Sequence, residues 1–268
     1  MIDRQLLTEV TALVQQVGAF QLRHFRSLGP GAGNEKQARE LVSFVDTTSE
    51  EMLMAGLKTL LPAAGFYGEE TGKQGDDNLR WVVDPLDGTT NFLSGLDQFC
   101  ISVALEKNRK TQLGVVWRPV SAEGFSALRQ GGFRYQDTPL PRVQPLPLQR
   151  ALVGTGFPYR SRDLAPAFFH CAQEVLNHSR GIRRFGSAAL DLAYVAAGFL
   201  QGFWETDLKP YDVAAALLFL DEAGCITTNE QGRPYSPYRD RMLVCGFPDV
   251  HQQLLELVAR HYRAESTA

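Results

Sequence analysis

An apolar run that ends in aspartate, then proline, one residue and a second aspartate, has the residue types to hold a cation. The stretch Trp81-Val82-Val83-Asp84-Pro85-Leu86-Asp87-Gly88-Thr89-Thr90-Asn91-Phe92 has that form. Its apolar start predicts a short strand. Pro85 blocks continuation of a strand ladder and sets its own φ. Gly88 permits a sharp turn, and Thr89, Thr90 and Asn91 suit the start of a helix. The spacing brings two carboxylates together at the carboxyl end of a strand, where α/β proteins commonly place ligands. Converging carboxylates repel unless they share a proton or a cation. A hard divalent ion such as Mg²⁺ suits carboxylates, carbonyls and waters. Asp-x-x-Asp alone is more often a capped turn with solvated acids, but the strand, the proline and Gly-Thr-Thr-Asn weigh against that here.

Further acids add to the set. Gly68-Glu69-Glu70 precedes the strand in a polar stretch, Asp46 follows the apolar run 41–45, and Asp212 stands at a helix start after Pro210-Tyr211. Each alone reads as a cap or a solvated surface acid. Together they supply carboxylates for two or three ions, a recurrent solution for phosphoryl transfer to water. No Gly-x-Ser-x-Gly elbow is present, nor Gly-x-x-x-x-Gly-Lys-Ser/Thr, nor Gly-x-Gly-x-x-Gly. Readings as an α/β-hydrolase, a nucleoside-triphosphatase or a dinucleotide enzyme therefore lose support. His24, His170, His178, His251 and His261 lack metal-ligand spacing and read as structural or surface residues.

These residues need elements to position them. Leu6, Leu7, Val10, Leu13, Val14, Val17 and Phe20 recur at helical spacing, and the helix is expected to end near Gly29-Pro30-Gly31. A second helix is expected after Asp46, capped by Thr48 or Ser49 and stopped at Pro62. Residues 68–78 read as loop. Strands are expected at Trp81–Val83, Ile101–Leu105, Val115–Trp117, Gly124–Leu128 and Phe203–Glu205. Helices are expected over Ala165–Asn177, over Ser187–Ala197 between a serine cap and Gly198, from Asp212 to Ala223 before Gly224, and over Val250–Tyr262. Pro139, Pro141, Pro145 and Pro147 mark either a boundary between halves or a connection within one fold. Strands and helices interleave without strict alternation, which predicts layered α and β with mixed sheets.

Composition sets the class. The chain has 268 residues, 44% hydrophobic and 21% charged, enough to bury a core without staples. Lys and Arg total 27 against 30 Asp and Glu, a net charge of −3, so no global basic field drives nucleic-acid binding. The longest apolar run, Val213–Leu220, is too short to span a membrane. The first residues lack a basic segment followed by an apolar one, so no secretory signal is expected. Cys100, Cys171, Cys225 and Cys245 are widely spaced in apolar company, as expected of reduced thiols in a cytoplasmic protein.

Taken together, Gly68-Glu69-Glu70, the W-V-V-D-P-L-D-G-T-T-N-F run, Gly186-Ser187-Ala188-Ala189-Leu190-Asp191-Leu192-Ala193 and Lys209-Pro210-Tyr211-Asp212-Val213-Ala214 resemble the inositol monophosphatase family, closest to its bacterial members. These are Mg²⁺-dependent, lithium-sensitive phosphatases. The likeness covers nearly the whole chain in order. It implies an α-β-α-β-α sandwich of the inositol monophosphatase and fructose-1,6-bisphosphatase type. One unit of residues 1–268 would have subregions of about 1–145 and 146–268. Glu69, Asp84 and Asp87 would be carboxylate ligands of two to three Mg²⁺ ions, with Leu86 a ligand through its carbonyl and Asp212 the distal carboxylate. Asp46 and Thr89 would position or deprotonate the attacking water, with Glu70 behind the ligands. Backbone N–H groups of Gly88, Thr89 and Thr90 would bind phosphate oxygens. Gly186, Ser187, Ala188 and Glu205 would lie near a polyol.

The resemblance also ranks substrates. Gly-Thr-Thr-Asn-Phe looks like the inositol-phosphatase branch, where sulfur-assimilation bisphosphatases more often carry Gly-Thr-Lys-Glu-Phe and histidinol-phosphate phosphatases Gly-Thr-Lys-Ser-Phe. Inositol 1-phosphate is therefore the expected substrate, with fructose 1,6-bisphosphate or histidinol phosphate as alternatives. Gly132–Asp137 and Val116-Trp117-Arg118-Pro119 depart from the family pattern and bear on fine specificity and a dimer surface. Asp97 has no assigned role, and Lys209 either contacts an anion or covers surface. Some bacterial relatives also partner the RNA-synthesis machinery. Arg180, Arg183 and Arg184 resemble a stretch in those relatives, although arginines at a loop or dimer interface are the plainer reading. A homodimer is expected by resemblance alone.

Overall fold

The computed structural model describes residues 2–27, 34–37, 40–140, 144 and 146–262, with 34–37 and 40–42 described by backbone alone. The first half runs α1 (Arg4–His24), β1 (Asn34–Gln37), β2 (Glu40–Val42), α2 (Phe44–Leu60), β3 (Gly65–Gly68), β4 (Gly72–Gln74), β5 (Leu79–Asp87), α3 (Thr89–Leu93), β6 (Cys100–Lys107), β7 (Lys110–Arg118), β8 (Glu123–Leu128), β9 (Gly132–Tyr135) and β10 (Thr138–Pro139). The second runs β11 (Leu152–Thr155), α4 (Ala165–His178), β12 (Gly181–Arg183), α5 (Ala188–Ala196), β13 (Gly202–Thr206), α6 (Pro210–Ala223), β14 (Ile226–Thr228), β15 (Met242–Gly246) and α7 (Pro248–Tyr262).

Two sheets carry the architecture. The larger has order β10-β9-β8-β7-β6-β5-β3-β4, antiparallel except where β3 runs parallel to β5. The smaller has order β12-β11-β13-β15-β14, with β11 parallel to both its neighbours. Helices α1 and α2 cover one face of the large sheet; α5 and α6 fill the space between the sheets; α4 and α7 cover the outer face of the small sheet. The result is the α-β-α-β-α sandwich.

Burial explains the layers. Leu6, Leu7, Val10, Val14 and Val17 of α1 pack with Leu53 and Leu57 of α2 on Trp81, Val83, Val103 and Val115. On the opposite face, α5 and α6 are apolar nearly all round, as a central layer requires, and pack on Val82, Ala104, Val116, Phe203 and Leu243. Thr111 Oγ1 donates to the Ala214 carbonyl at 2.9 Å, tying the large sheet to α6.

Several local expectations need correction. Helix α2 begins at Phe44, not after Asp46: Ser43 is its cap, and Asp46 sits in the first turn, its Oδ2 accepting from the Ser43 N–H at 2.9 Å. Apolar Phe44 and Val45 hid a cap that lies before them. Residues 68–78 are not all loop, since β4 forms the edge of the large sheet at Gly72–Gln74; polar edge strands give no apolar signal. Helix α6 starts at Pro210, two residues before Asp212. Gly29-Pro30-Gly31, Pro141 and Pro145 lie outside the described residues. The cysteines are free thiols.

Candidate active site

The site is built on the end of β5. Asp84 pairs with Ser102 and Asp87 with Cys100, so β5 spends one more residue than β6 between these positions. This bulge sits at Pro85, which has no N–H to lose, and it re-aims the acids that flank it. Asp84 Oδ1 accepts from the Leu86 N–H at 3.0 Å. Gly88 then turns the chain at φ 98°, and a Cβ there would lie 2.8 Å from the Gln98 carbonyl, so glycine alone fits.

Thr89 begins α3. Its Oγ1 lies 2.8 Å from Asp46 Oδ1 and 3.1 Å from the Leu86 carbonyl, and its single proton serves one of them at a time. Asp46 Oδ2 is occupied by the Ser43 N–H and hydroxyl, at 2.9 and 2.5 Å. Burial raises the Asp46 carboxyl above its usual range, against the hydrogen bonds from Ser43 and Thr89 that lower it.

The other acids arrive from five elements. Glu69 follows β3, its N–H donating to the Val83 carbonyl at 3.2 Å. Glu50 of α2, fully buried, accepts from the N–H groups of Glu70 and Thr71 at 2.9 and 2.7 Å and so shapes that turn. Asp87 Oδ2 accepts from Ser187 Oγ at 2.8 Å and from the Ala189 N–H at 2.7 Å, which docks the start of α5 on β5. Asp212 Oδ2 accepts from the Lys209 N–H at 2.7 Å and from Arg160 Nη1 at 3.2 Å. Glu205 rises from β13 close against Gly156, where any Cβ would overlap its carboxylate.

The electrostatics are those of crowded anions. Burial first, then Glu69, Asp87 and Asp212, hold Asp84 well above the usual carboxylate range. Burial and then Asp212 push Asp87 up to about 7. Burial and Asp212 push Glu205 up to about 8, with Arg184 and Arg160 opposing. Among the described residues no three acid, histidine or cysteine side chains close into a ready-made cage. Mg²⁺ needs none, because it keeps waters and takes one or two carboxylates together with substrate oxygens. Hard oxygen donors carrying mutually repelling charge fit that ion.

Two adjoining cavities share this surface. The first, about 450 Å³, is lined by Glu69, Asp84, Leu86, Asp87, Gly88, Thr89, Thr90 and Asp212. The second, about 760 Å³, is lined by Asp87, Gly186, Ser187, Ala188, Glu205 and Asp212. Asp46 and Glu70 line neither: Asp46 reaches the first through Thr89, and Glu70 meets Glu50 behind it. The other metal-holding and substrate-facing residues expected from the sequence line one cavity or the other.

The family model for the inositol monophosphatase family matches residues 3–266. The chain belongs to the inositol monophosphatase family. It is a phosphoric monoester hydrolase. It is 38% identical to the inositol-1-monophosphatase of Rhizobium meliloti over 97% of this chain and 98% of that protein. It is 37% identical to the Nus factor SuhB of Xylella fastidiosa over 78% of this chain and 76% of that one. Among solved structures, the extragenic suppressor protein suhB of Bartonella henselae matches with a TM-score of 0.88 at 32% identity, over 95% of this chain and 98% of that one.

Some residues of this inositol monophosphatase family site escaped sequence reasoning. Glu50 stands one helical turn after Asp46 on the same face, a spacing that could have flagged it. Asn91, expected only to suit the start of a helix, does more: its Nδ2 donates to the carbonyls of Gln98 at 2.6 Å and Phe185 at 2.8 Å, clasping α3 to the segment between β12 and α5. Arg160 gave no signal. Arg184 lies over the rings of Phe157 and Tyr159, at 5.4 and 5.2 Å, and lines both cavities. Arg180 and Arg183, read with it as one cluster, are exposed and line neither cavity. Asp97 pairs with Arg118 at 3.0 Å, which gives the unusual Arg118 a partner.

Proposed function

We propose that this chain hydrolyses inositol 1-phosphate to inositol and phosphate, by direct attack of water, with two to three Mg²⁺ ions as cofactor. The observation that carries the reading is the Thr89 hydroxyl, poised between Asp46 Oδ1 and the Leu86 carbonyl beside a cavity lined by Glu69, Asp84, Asp87 and Asp212. Glu69, Asp84, Asp87 and the Leu86 carbonyl would hold metal, with Asp212 on the distal ion. When bound, the ions neutralise phosphoryl charge and acidify water.

The chain's own groups do the rest. With the Leu86 carbonyl engaged, the Thr89 proton points to Asp46 and its oxygen accepts from the attacking water. As the water oxygen bonds to phosphorus, the P–O ester bond breaks and the alcohol oxygen leaves as an alkoxide that takes a proton from solvent water, while the attacking water's proton passes to Thr89 and the Thr89 proton to Asp46. Asp46 is held for this by Ser43, and Glu70 keeps the Glu69 turn in place through Glu50. Backbone N–H groups of Gly88, Thr89 and Thr90 line the phosphate side. Gly186, Ser187, Ala188 and Glu205 face the polyol.

The test is phosphate release from inositol 1-phosphate, fructose 1,6-bisphosphate and histidinol phosphate, with and without Mg²⁺ and Li⁺. Mg²⁺-dependent, Li⁺-blocked release favouring inositol 1-phosphate is expected. Preference for another ester would move the substrate and keep the site; release unaffected by chelation would refute the metal assignment.

A homodimer in the cytoplasm, with subregions of about 1–145 and 146–268, completes the reading. No helix among the described residues is long and apolar enough to cross a membrane. Relatives named Nus factor SuhB favour a second role, alongside hydrolysis, as a partner of the transcription machinery. RNA binding that survives moderate salt and is lost on replacing Arg183 and Arg184 would establish it.

A further inference from the structure

The larger cavity is lined by a further carboxylate besides Asp87, Glu205 and Asp212. Asp191 lies one helical turn beyond Ala188 on α5, and both line the cavity together with Glu205. Asp191 is 1% exposed, and its Oδ1 has no hydrogen-bond partner. A buried carboxylate oxygen without a donor costs stability and is rare in folded proteins. Nothing in the packing of α5 demands it: every other residue from Ala189 to Ala196 is buried and the helix is otherwise apolar but for the Tyr194 hydroxyl. An alanine or leucine would fill the position by the same logic as its neighbours. The acid is therefore explained by what enters the cavity.

Two adjacent carboxylates, Asp191 and Glu205, select for neutral donors. Hydroxyl groups satisfy them, whereas a second phosphoryl or carboxylate group would meet like charge at short range. Arg184 faces both acids and Arg160 faces Glu205, and with Arg162 and Lys209 elsewhere on the lining they offset part of that charge. The planar Arg184 guanidinium is already stacked on Phe157 and Tyr159.

We propose that Asp191 is a specificity-determining residue which, with Glu205, accepts hydrogen bonds from hydroxyls of the leaving alcohol and disfavours a second anionic group there. The proposal rests on the phosphatase reading above.

The test uses the full chain with Mg²⁺ and the variants Asp191→Asn and Asp191→Leu. The ratio of kcat/KM for inositol 1-phosphate to that for 4-nitrophenyl phosphate, whose leaving group has no aliphatic hydroxyls, is expected to fall about 10- to 100-fold in Asp191→Leu. The fall should lie mainly in KM for the inositol ester. Asp191→Asn, which keeps an acceptor and removes the charge, should retain part of that ratio and gain relative activity on fructose 1,6-bisphosphate. A ratio unchanged in both variants, whether or not overall activity drops, would assign Asp191 to structure and overturn the proposal. Myo-inositol alone provides a readout independent of turnover: it should raise the Tm of the wild-type protein and leave that of Asp191→Leu unmoved. Protection of both proteins, or of neither, would also overturn it. A wild-type chain without Mg²⁺-dependent activity on any ester would instead sink the phosphatase reading, and the inositol protection would still decide the role of Asp191.

Discussion

At the scale of single residues, the site depends on acids whose two oxygens have divided duties. Asp46 uses Oδ2 for its own helix cap and Oδ1 for Thr89; Asp87 uses Oδ2 for the start of α5. Asp87→Asn keeps the shape and an acceptor for the Ala189 N–H, so the fold should survive. Phosphate release should drop at least ~100-fold, the scale of losing one electrostatic stabiliser. Near-normal Mg²⁺-dependent turnover with this variant would show that Asp87 is not a ligand. Thr89 permits a sharper comparison. Thr89→Val removes the hydroxyl at nearly constant volume and should lower kcat by about 10²–10⁴. Thr89→Ser should keep most of it; equal losses in the two would show that shape, not the hydroxyl, is what matters.

At the scale of elements, helix starts and strand ends do most of the positioning, and each has a local reason. The bulge at Pro85 turns the end of β5, Ser43 sets the start of α2, and Asp87 receives the start of α5. Helix α7 shows how a buried titratable group ties such packing to pH. His251 is 5% exposed and lies 2.9 Å from Thr228 Oγ1 through its Nε2, and burial lowers its pKa. The unfolded chain therefore binds a proton near pH 6.5 that the folded chain resists. Stability from this group is present above about pH 6.5 and is lost as pH falls through the lower, folded pKa. Denaturant melts between pH 5 and 7.5 should show that slope, and His251→Gln should flatten it; an unaltered slope would exclude His251 as its source.

At the scale of the whole molecule, the large sheet is pinned to the loop that precedes β15. Arg80 of β5 is 1% exposed and pairs with Glu106 of β6 at 3.1 Å. Tyr238, from beyond β14, donates its hydroxyl to the same Glu106 oxygen at 2.6 Å, and Arg80 stacks on its ring at 5.1 Å. Removing the acid strands a buried guanidinium. Glu106→Ala should cost about 3–5 kcal/mol, read from chemical denaturation. A loss under 1 kcal/mol would show that Asp77, which also pairs with Arg80, and the Tyr238 ring suffice to hold it.

Local pattern in the chain was enough for the family, for six of the helices, for the strands β5, β6, β7, β8 and β13, and for the acids of β5, α2 and α6. These signals are local: an apolar strand, a proline, a glycine with one permissible turn, and helical spacing. Tertiary structure decided what local pattern cannot carry. Glu50, Asn91 and Arg160 act on residues far along the chain, and only folding brings their partners within reach. The same holds for Arg184, which looked like part of a surface cluster and is drawn to the cavity by two rings. It holds for Asp191, whose place on an apolar helix has meaning only against Glu205 from another strand. Periodicity reports which face of an element is buried, while the identity of the opposing group depends on how the sheets stack.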